Sequence, residues 1–138
     1  MTAIRPGAAA DLSAVAAIQG ASPEAVRWNV ADYLQHDFRV AVDGQQVVGF
    51  LVARSVGEGE REVLNLAVAP ECRRQGVGRR LLESLLRDAS GAIFLEVRES
   101  NSAARNTYKS IGFREVGART KYYQDPLEAA IVMKFHSC

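Results

Sequence analysis

The sequence predicts a mixed α/β fold in which one sheet carries helices on both faces. Three observations predict it. Strand-like and helix-like runs interleave in the order α-α-β-β-β-α-β-α-β-β, which a layered sheet-and-helix architecture accommodates. Phe38–Val42 and Val47–Ala53 flank Asp43-Gly44, the clearest hairpin signal in the chain. A basic glycine loop, Arg73-Arg74-Gln75-Gly76-Val77-Gly78, joins the apolar run VLNLAVAP to an amphipathic run.

Taken in order, residues 9–20 place Leu12, Val15, Ala16 and Ile18 or Gln19 at helical spacing, with Gly20 as a stop. Ser22-Pro23-Glu24 reads as a second helix start, with serine at the cap and proline in the first position. Asn29, three residues before Asp32, suggests a further start before DYLQ. After the hairpin, Gly57–Glu60 makes a turn into Glu62–Val68, and Pro70 closes that strand because it has no N–H to donate. From Val77 to Ala89 the apolar positions 77, 81, 82, 85, 86 and 89 form one helical face. Ala92–Val97, bounded by Gly91 and a polar RESN, suits a central strand. Asn101–Ile111 is helical again, with Ala104, Thr107, Tyr108 and Ile111 on one face and Gly112 as the stop. Phe113–Arg119 and Ala129–Phe135 read as closing strands.

At 138 residues the chain reads as one domain, large enough to bury about two-thirds of its unfolded surface. A formal net charge of +1 gives no global attraction for nucleic acid or an anionic membrane, so any polyanion contact is local. The cluster Arg73, Arg74, Arg79 and Arg80 is the dense basic patch. No apolar run approaches the roughly 20 residues of a membrane span, and the first residues lack the apolar block of a signal peptide. Cys72 and Cys138 show no metal or redox spacing and read as free thiols of a cytoplasmic protein. His36 and His136 lie far from other ligand-type residues and take no role.

The loop is too short for a dinucleotide fingerprint and lacks the Lys-Ser/Thr of a P-loop. It remains a strand-to-helix turn whose glycines let the backbone approach an anion. Arginines at a helix start oppose the macrodipole, so they call for a compensating anion or solvent, and a phosphate fits. Glu96 sits among apolar neighbours in IFLEV. It is either a desolvated general base with a raised pKa or a strand glutamate paired with Arg98 or facing solvent. Tyr108 is either a core tyrosine or a general acid facing a cleft. Asn101 caps the following helix and could also meet a ligand beyond the strand end. Tyr122 and Tyr123, in a polar loop after Lys121, are either edge-strand packing or a peptide-gripping surface.

Together, VLNLAVAPECRRQGVGRRLLESLL and FLEVRESNSAARNTYKSIGF resemble the GNAT superfamily of N-acetyltransferases over Val40–Phe135. Within it, the chain looks most like the ribosomal-protein alanine N-acetyltransferases. Leu64-Asn65-Leu66-Ala67-Val68, Leu95-Glu96-Val97-Arg98 and Arg119-x-x-Tyr122-Tyr123 followed by Ala130-Ile131-Val132-Met133 carry that likeness.

The resemblance implies an acyl-CoA N-acyltransferase fold with a mostly antiparallel sheet, acetyl-CoA as donor, and direct transfer to an amine without a metal. It implies that the stretch Arg73, Arg74, Gln75, Gly76, Val77, Gly78 and Arg79 binds the cofactor, its amides from Arg74 onward holding the pyrophosphate. The backbone of Leu66, Ala67 and Val68, together with Asn101, would meet the pantetheine arm. Glu96 matches the base and Tyr108 the acid, the latter lying beside the cofactor. Tyr122, Tyr123 and Glu128 fall on the acceptor side, where Glu128-Ala129 replaces the Glu-Asp common in the alanine enzymes.

A free α-amine, with a pKa of about 7.7–8.0, is appreciably neutral near pH 7.5, against about 0.1% for a lysine near 10.4. A modest carboxylate base therefore suffices for a protein N-terminus. The acceptor expected is that N-terminal amine, on a monomer or homodimer; a small-molecule amine is the alternative. A non-catalytic acetyl-CoA-binding module is a third reading, and it needs neither Glu96 nor Tyr108.

Overall fold

The computed structural model describes residues 2–22, 28–123 and 128–136, with backbone alone at 121–123. Its strands are β1 (Thr2–Pro6), β2 (Asp37–Asp43), β3 (Gln46–Gly57), β4 (Glu60–Val68), β5 (Ile93–Arg98), β6 (Arg114–Tyr123) and β7 (Glu128–Phe135). Its α-helices are α1 (Leu12–Gly20), α2 (Val77–Asp88) and α3 (Ser102–Ile111). The strands pair in the order β1-β2-β3-β4-β5-β7-β6. The β1–β2, β2–β3, β5–β7 and β6–β7 ladders are antiparallel, while β4 and β5 run parallel at Arg61↔Ile93 and Glu62↔Phe94. By contacts the chain separates into two compact units: Met1–Arg54 with Val63–Asp88, and Ser55–Glu62 with Ala89–Cys138.

In the first unit the hairpin forms as expected, with Asp43 opposite Gln46. Asp43 ends the strand, so the turn is Gly44-Gln45, and Gly44 supplies the left-handed φ of 65°. Phe38 and Val40 alternate with Arg39 and Ala41, and Phe50 and Val52 alternate with Gly49 and Leu51. The first set packs with Val15, Ile18 and Tyr33 into one core. The second faces α2: a Cβ on Gly49 would lie 3.0 Å from Val77 and 3.3 Å from Leu81, and Arg39 bonds Ser84. Helical elements thus cover both faces of this unit. The predicted face of α2 is the buried one, with Val77, Leu81, Leu82 and Leu85 inside and Leu86 half-buried. Each such side chain contributes roughly 1.5–3 kcal/mol by burial.

Two elements differ from expectation here. Thr2–Pro6 forms β1, which the sequence reading left unassigned because five residues ending in proline carry too little periodicity. It pairs at the sheet edge, where proline is tolerated. Val30–Gln35 forms a 3₁₀ helix rather than an α-helix, capped by Asn29, whose side chain accepts from the Ala31 N–H. The expected start at Ser22-Pro23-Glu24 lies outside the described residues from Pro23 onward.

In the second unit β5 alternates. Ile93, Leu95 and Val97 are buried, while Phe94, Glu96 and Arg98 are half-buried on the opposite face. Opposite β7 residues share these faces, Met133 with Leu95 and Val132 with Glu96. α3 begins at Asn101, whose Oδ1 accepts from Ala104 N–H at 3.2 Å, and ends at Gly112 (φ 123°). Thr107 is exposed rather than packed, and its hydroxyl donates to the Ala103 carbonyl. β6 runs four residues beyond the predicted Arg119 end, so Tyr122 and Tyr123 are strand residues on the sheet edge, not loop residues. Pairing with β7 carries the strand past the point where apolar alternation fades.

Candidate active site

The loop after β4 enters a short 3₁₀ turn, Pro70–Cys72, then two left-handed residues, Arg74 (φ 65°) and Gly76 (φ 80°). Gly76 adopts that conformation without steric cost; a left-handed arginine is uncommon and costs about 1 kcal/mol. Arg80 N–H closes the first helical bond onto the Gly76 carbonyl at 3.0 Å. The amides of Val77 and Gly78 therefore fall in the first turn, where no intrahelical acceptor exists, at the positive end of the α2 dipole. The Gly78 position leaves room, since an added Cβ would meet only Val68 at 3.7 Å.

The loop's side chains divide. Arg74 stands in solvent. Arg79 lies 3.3 Å from Glu83 one turn along, and Gln75 donates weakly to the Glu71 carbonyl. Arg73, also exposed, reaches back to the fold: Nε donates to the Val68 carbonyl at 3.2 Å, and an NH2 donates to Ser22 Oγ at 3.1 Å. Cys72 is a free, half-buried thiol, and Cys138 lies outside the described residues.

On β4, the Leu66 N–H donates to Asn65 Oδ1 at 3.0 Å. Asn65 is buried, and its Nδ2 donates to Gln19 Oε1 and to the Tyr33 hydroxyl, each at 3.1 Å. Tyr33 in turn donates to Gln19 Oε1, and Gln19 Nε2 donates to the Trp28 carbonyl at 2.8 Å. Burial raises the Tyr33 pKa, against the smaller opposing effect of its bond to Asn65. The sequence reading passed over this network. Asn65 interrupting VLNLAV carried the same signal as Glu96 in IFLEV: a polar group in an apolar strand needs partners.

In the second unit, Glu96 projects from the half-buried face of β5. Its side chain is 18% exposed, and Arg119 Nε lies 3.2 Å from Oε2. That contact is a charge pair without hydrogen-bond geometry, and Oε2 is buried with no hydrogen-bond partner among the described residues. Burial raises the Glu96 pKa; Arg119 opposes the rise and Glu62 adds to it. Glu62 pairs Phe94 in register, which places it on the face carrying Glu96. Arg98 does not pair with Glu96. It meets Glu128 at 3.2 Å, and Glu128 also accepts from the Ser100 N–H and hydroxyl, which together hold its pKa down.

Tyr108 is half-buried, its ring 6.0 Å from that of Phe113, which lies 5.6 Å from Phe135. Phe135 pairs Ile93 and so shares the face of Leu95. The Tyr108 ring is thus tied to one face of the sheet and the Glu96 carboxylate to the other. Asn101 spends its side-chain oxygen on the helix cap and keeps its amide donors. Tyr122 and Tyr123 have defined strand positions, but their side chains lie outside the described atoms.

A separate cleft lined by Ile4, Arg5, Asp37, Arg39, Ser84 and Asp88 is internally charge-paired, Arg39 meeting both Asp37 and Asp88. Among the described residues no helix is long and apolar enough to cross a membrane.

Comparison with known proteins bears on the whole arrangement. Residues 12–113 match the family model described as the acetyltransferase (GNAT) family. The chain is 41% identical over 88 residues to an N-alpha-acetyltransferase RimI of Mycobacterium tuberculosis, covering 61% of this chain and 56% of that protein. It thus spans little more than half of that relative's length. It is 38% identical over 103 residues to the ribosomal protein bS18 alanine N-acetyltransferase of Escherichia coli, covering 70% of this chain and 68% of that one. The crystal structure of the ribosomal-protein-S18-alanine N-acetyltransferase from Escherichia coli superposes with a TM-score of 0.85 at 30% identity, over 99% of this chain and 94% of that one.

Proposed function

The chain belongs to the acetyltransferase (GNAT) family, and on that premise we propose that it transfers acetyl from acetyl-CoA to the α-amine of a protein N-terminus in the cytoplasm. The observation that carries the catalytic reading is Glu96: a largely buried carboxylate, one oxygen without a hydrogen-bond partner among the described residues, its proton affinity raised by burial. Burial weakens such a group's preference for the ionised form, the direction that suits a general base.

In this reading Glu96 accepts the proton of the amine, directly or through water. The amine nitrogen attacks the thioester carbonyl, the C–S bond breaks, and Tyr108 protonates the departing thiolate. Base and acid serve different atoms, the amine nitrogen and the thiol sulfur. The amides from Arg74 to Arg79 hold the pyrophosphate, while the backbone of Leu66 to Val68 and the Asn101 amide meet the pantetheine arm. Tyr122 and Tyr123 contact the acceptor. Glu128 acts at one remove, fixing Arg98 and Ser100 at the end of β5.

The resemblance to enzymes named for alanine N-termini supports the acceptor class. The test is a CoA-release screen across peptides beginning with Ala, Ser, Met or Gly, set beside small amines. Turnover of peptides, with alanine or serine first, is the expected result. Activity on small amines alone would replace the acceptor while leaving the chemistry, and tight acetyl-CoA binding with no release for any amine would make the chain a binding module.

A further inference from the structure

Arg73 opens the basic loop, and its sequence position groups it with the arginines beside a phosphate. Its side chain, though exposed, makes contacts within the chain. Three of the five N–H donors of a guanidinium would be engaged by the Val68 carbonyl at 3.2 Å, Ser22 Oγ at 3.1 Å and, more weakly, the Ala21 carbonyl at 3.4 Å. Ser22 is itself buried, and its hydroxyl donates to the Ile18 carbonyl at 2.7 Å. Arg73 therefore bolts the end of β4 to the end of α1. From that end, Gln19 reaches the Trp28 carbonyl and meets Tyr33. The segment so anchored bears two large exposed apolar side chains, Trp28 and Leu34, the kind of surface that grips a partner chain.

We propose that Arg73 is a positioning residue for the acceptor side: it fastens the end of α1, and with it the segment bearing Trp28, to the end of β4, and is not a ligand of the donor's phosphates. Arg73 thereby differs in role from Arg74, one residue on and likewise exposed. The acceptor part of this inference rests on the function proposed above.

The experiment compares Arg73→Gln, Arg73→Lys, Ser22→Ala and the Arg73→Gln/Ser22→Ala double variant with the wild type. Losing charge-assisted bonds of this kind should raise the acceptor KM about fivefold to tenfold for Arg73→Gln. The acetyl-CoA Kd, measured without acceptor, should stay within about twofold with an unchanged salt dependence. Lysine should restore part of the loss, because it keeps a donor within reach. Ser22→Ala should share the phenotype, and the double variant should add little to Arg73→Gln alone.

Hydrogen exchange at the amides of Ala21 and Ser22 should accelerate in Arg73→Gln while that of the Arg80 amide holds. This arm needs no acceptor, so it decides the bolt even if the screen shows that the acceptor class is wrong. A salt-dependent loss of acetyl-CoA affinity would overturn the proposal. So would full additivity in the double variant, unchanged exchange at Ala21 and Ser22, or an unchanged KM for whichever amine the wild type acetylates.

Discussion

The loop at residues 73–79 and the strand β5 present chemistry in different currencies. The loop offers main-chain amides, aimed by two left-handed residues and a helix start, and most of its side chains stand in solvent. β5 offers a single carboxylate whose behaviour is set by burial and by charges from neighbouring strands. A site made of backbone tolerates most side-chain exchanges and fails when the backbone turns wrongly. A site made of one side chain fails with the exchange of one atom.

The sharpest break of that contrast is Glu96→Gln. With the base removed and the volume kept, kcat should fall about 100-fold while acetyl-CoA binding is unchanged; equal rates for variant and wild type would remove Glu96 as the base. Tyr108→Phe should lower kcat about tenfold by the same steady-state measurement.

At the loop, Arg74→Glu should weaken acetyl-CoA binding about tenfold, the loss shrinking as salt rises. Arg74→Gly, which removes the charge but relaxes the left-handed residue, should weaken it less. Titration calorimetry at two ionic strengths checks both.

The next effect separates the strand from the loop by pH. A raised Glu96 pKa moves the acid limb of kcat/KM to higher pH than an unperturbed glutamate would give, with activity lost as pH falls through it. Glu62→Gln removes a neighbouring negative charge, eases ionisation and should move the limb to lower pH. Arg119→Gln removes the opposing cation and should move it to higher pH. A limb unmoved by both variants would assign it to another group.

The smallest effect is Gly76→Ala, where a Cβ meets nothing within 4 Å yet φ is 80°. Strain alone should cost about 1 kcal/mol, read as a fall of a few degrees in Tm.

Much of the fold was legible because periodicity survives in a single sequence. The α2 face, the hairpin at Gly44, the existence of β5 and the Asn101 cap all came from spacing and residue type. β1 escaped because its order comes from pairing with β2, and β6 ran long because pairing with β7 extends it. Within the site, the loop and Glu96 were visible as a glycine pattern and a charge in an apolar run. Whether Glu96 pairs with Arg98 was not visible: Arg98 pairs Ala130 in the β5–β7 register and turns to Glu128, two residues from it on β7, and Arg119 arrives from β6. The Gln19–Tyr33–Asn65 network spans 46 residues of sequence, beyond the reach of any local pattern.

By itself, the sequence determined the local elements and the residue types at the candidate site, because helix, strand and turn preferences act over a few residues. Only the tertiary structure decided what each charged group faces. It brought Arg73, exposed as its neighbour Arg74 is, within hydrogen-bond reach of Ser22, 51 residues away in sequence. It also set the Glu96 proton affinity, since desolvation and charge pairing depend on distances that folding alone creates.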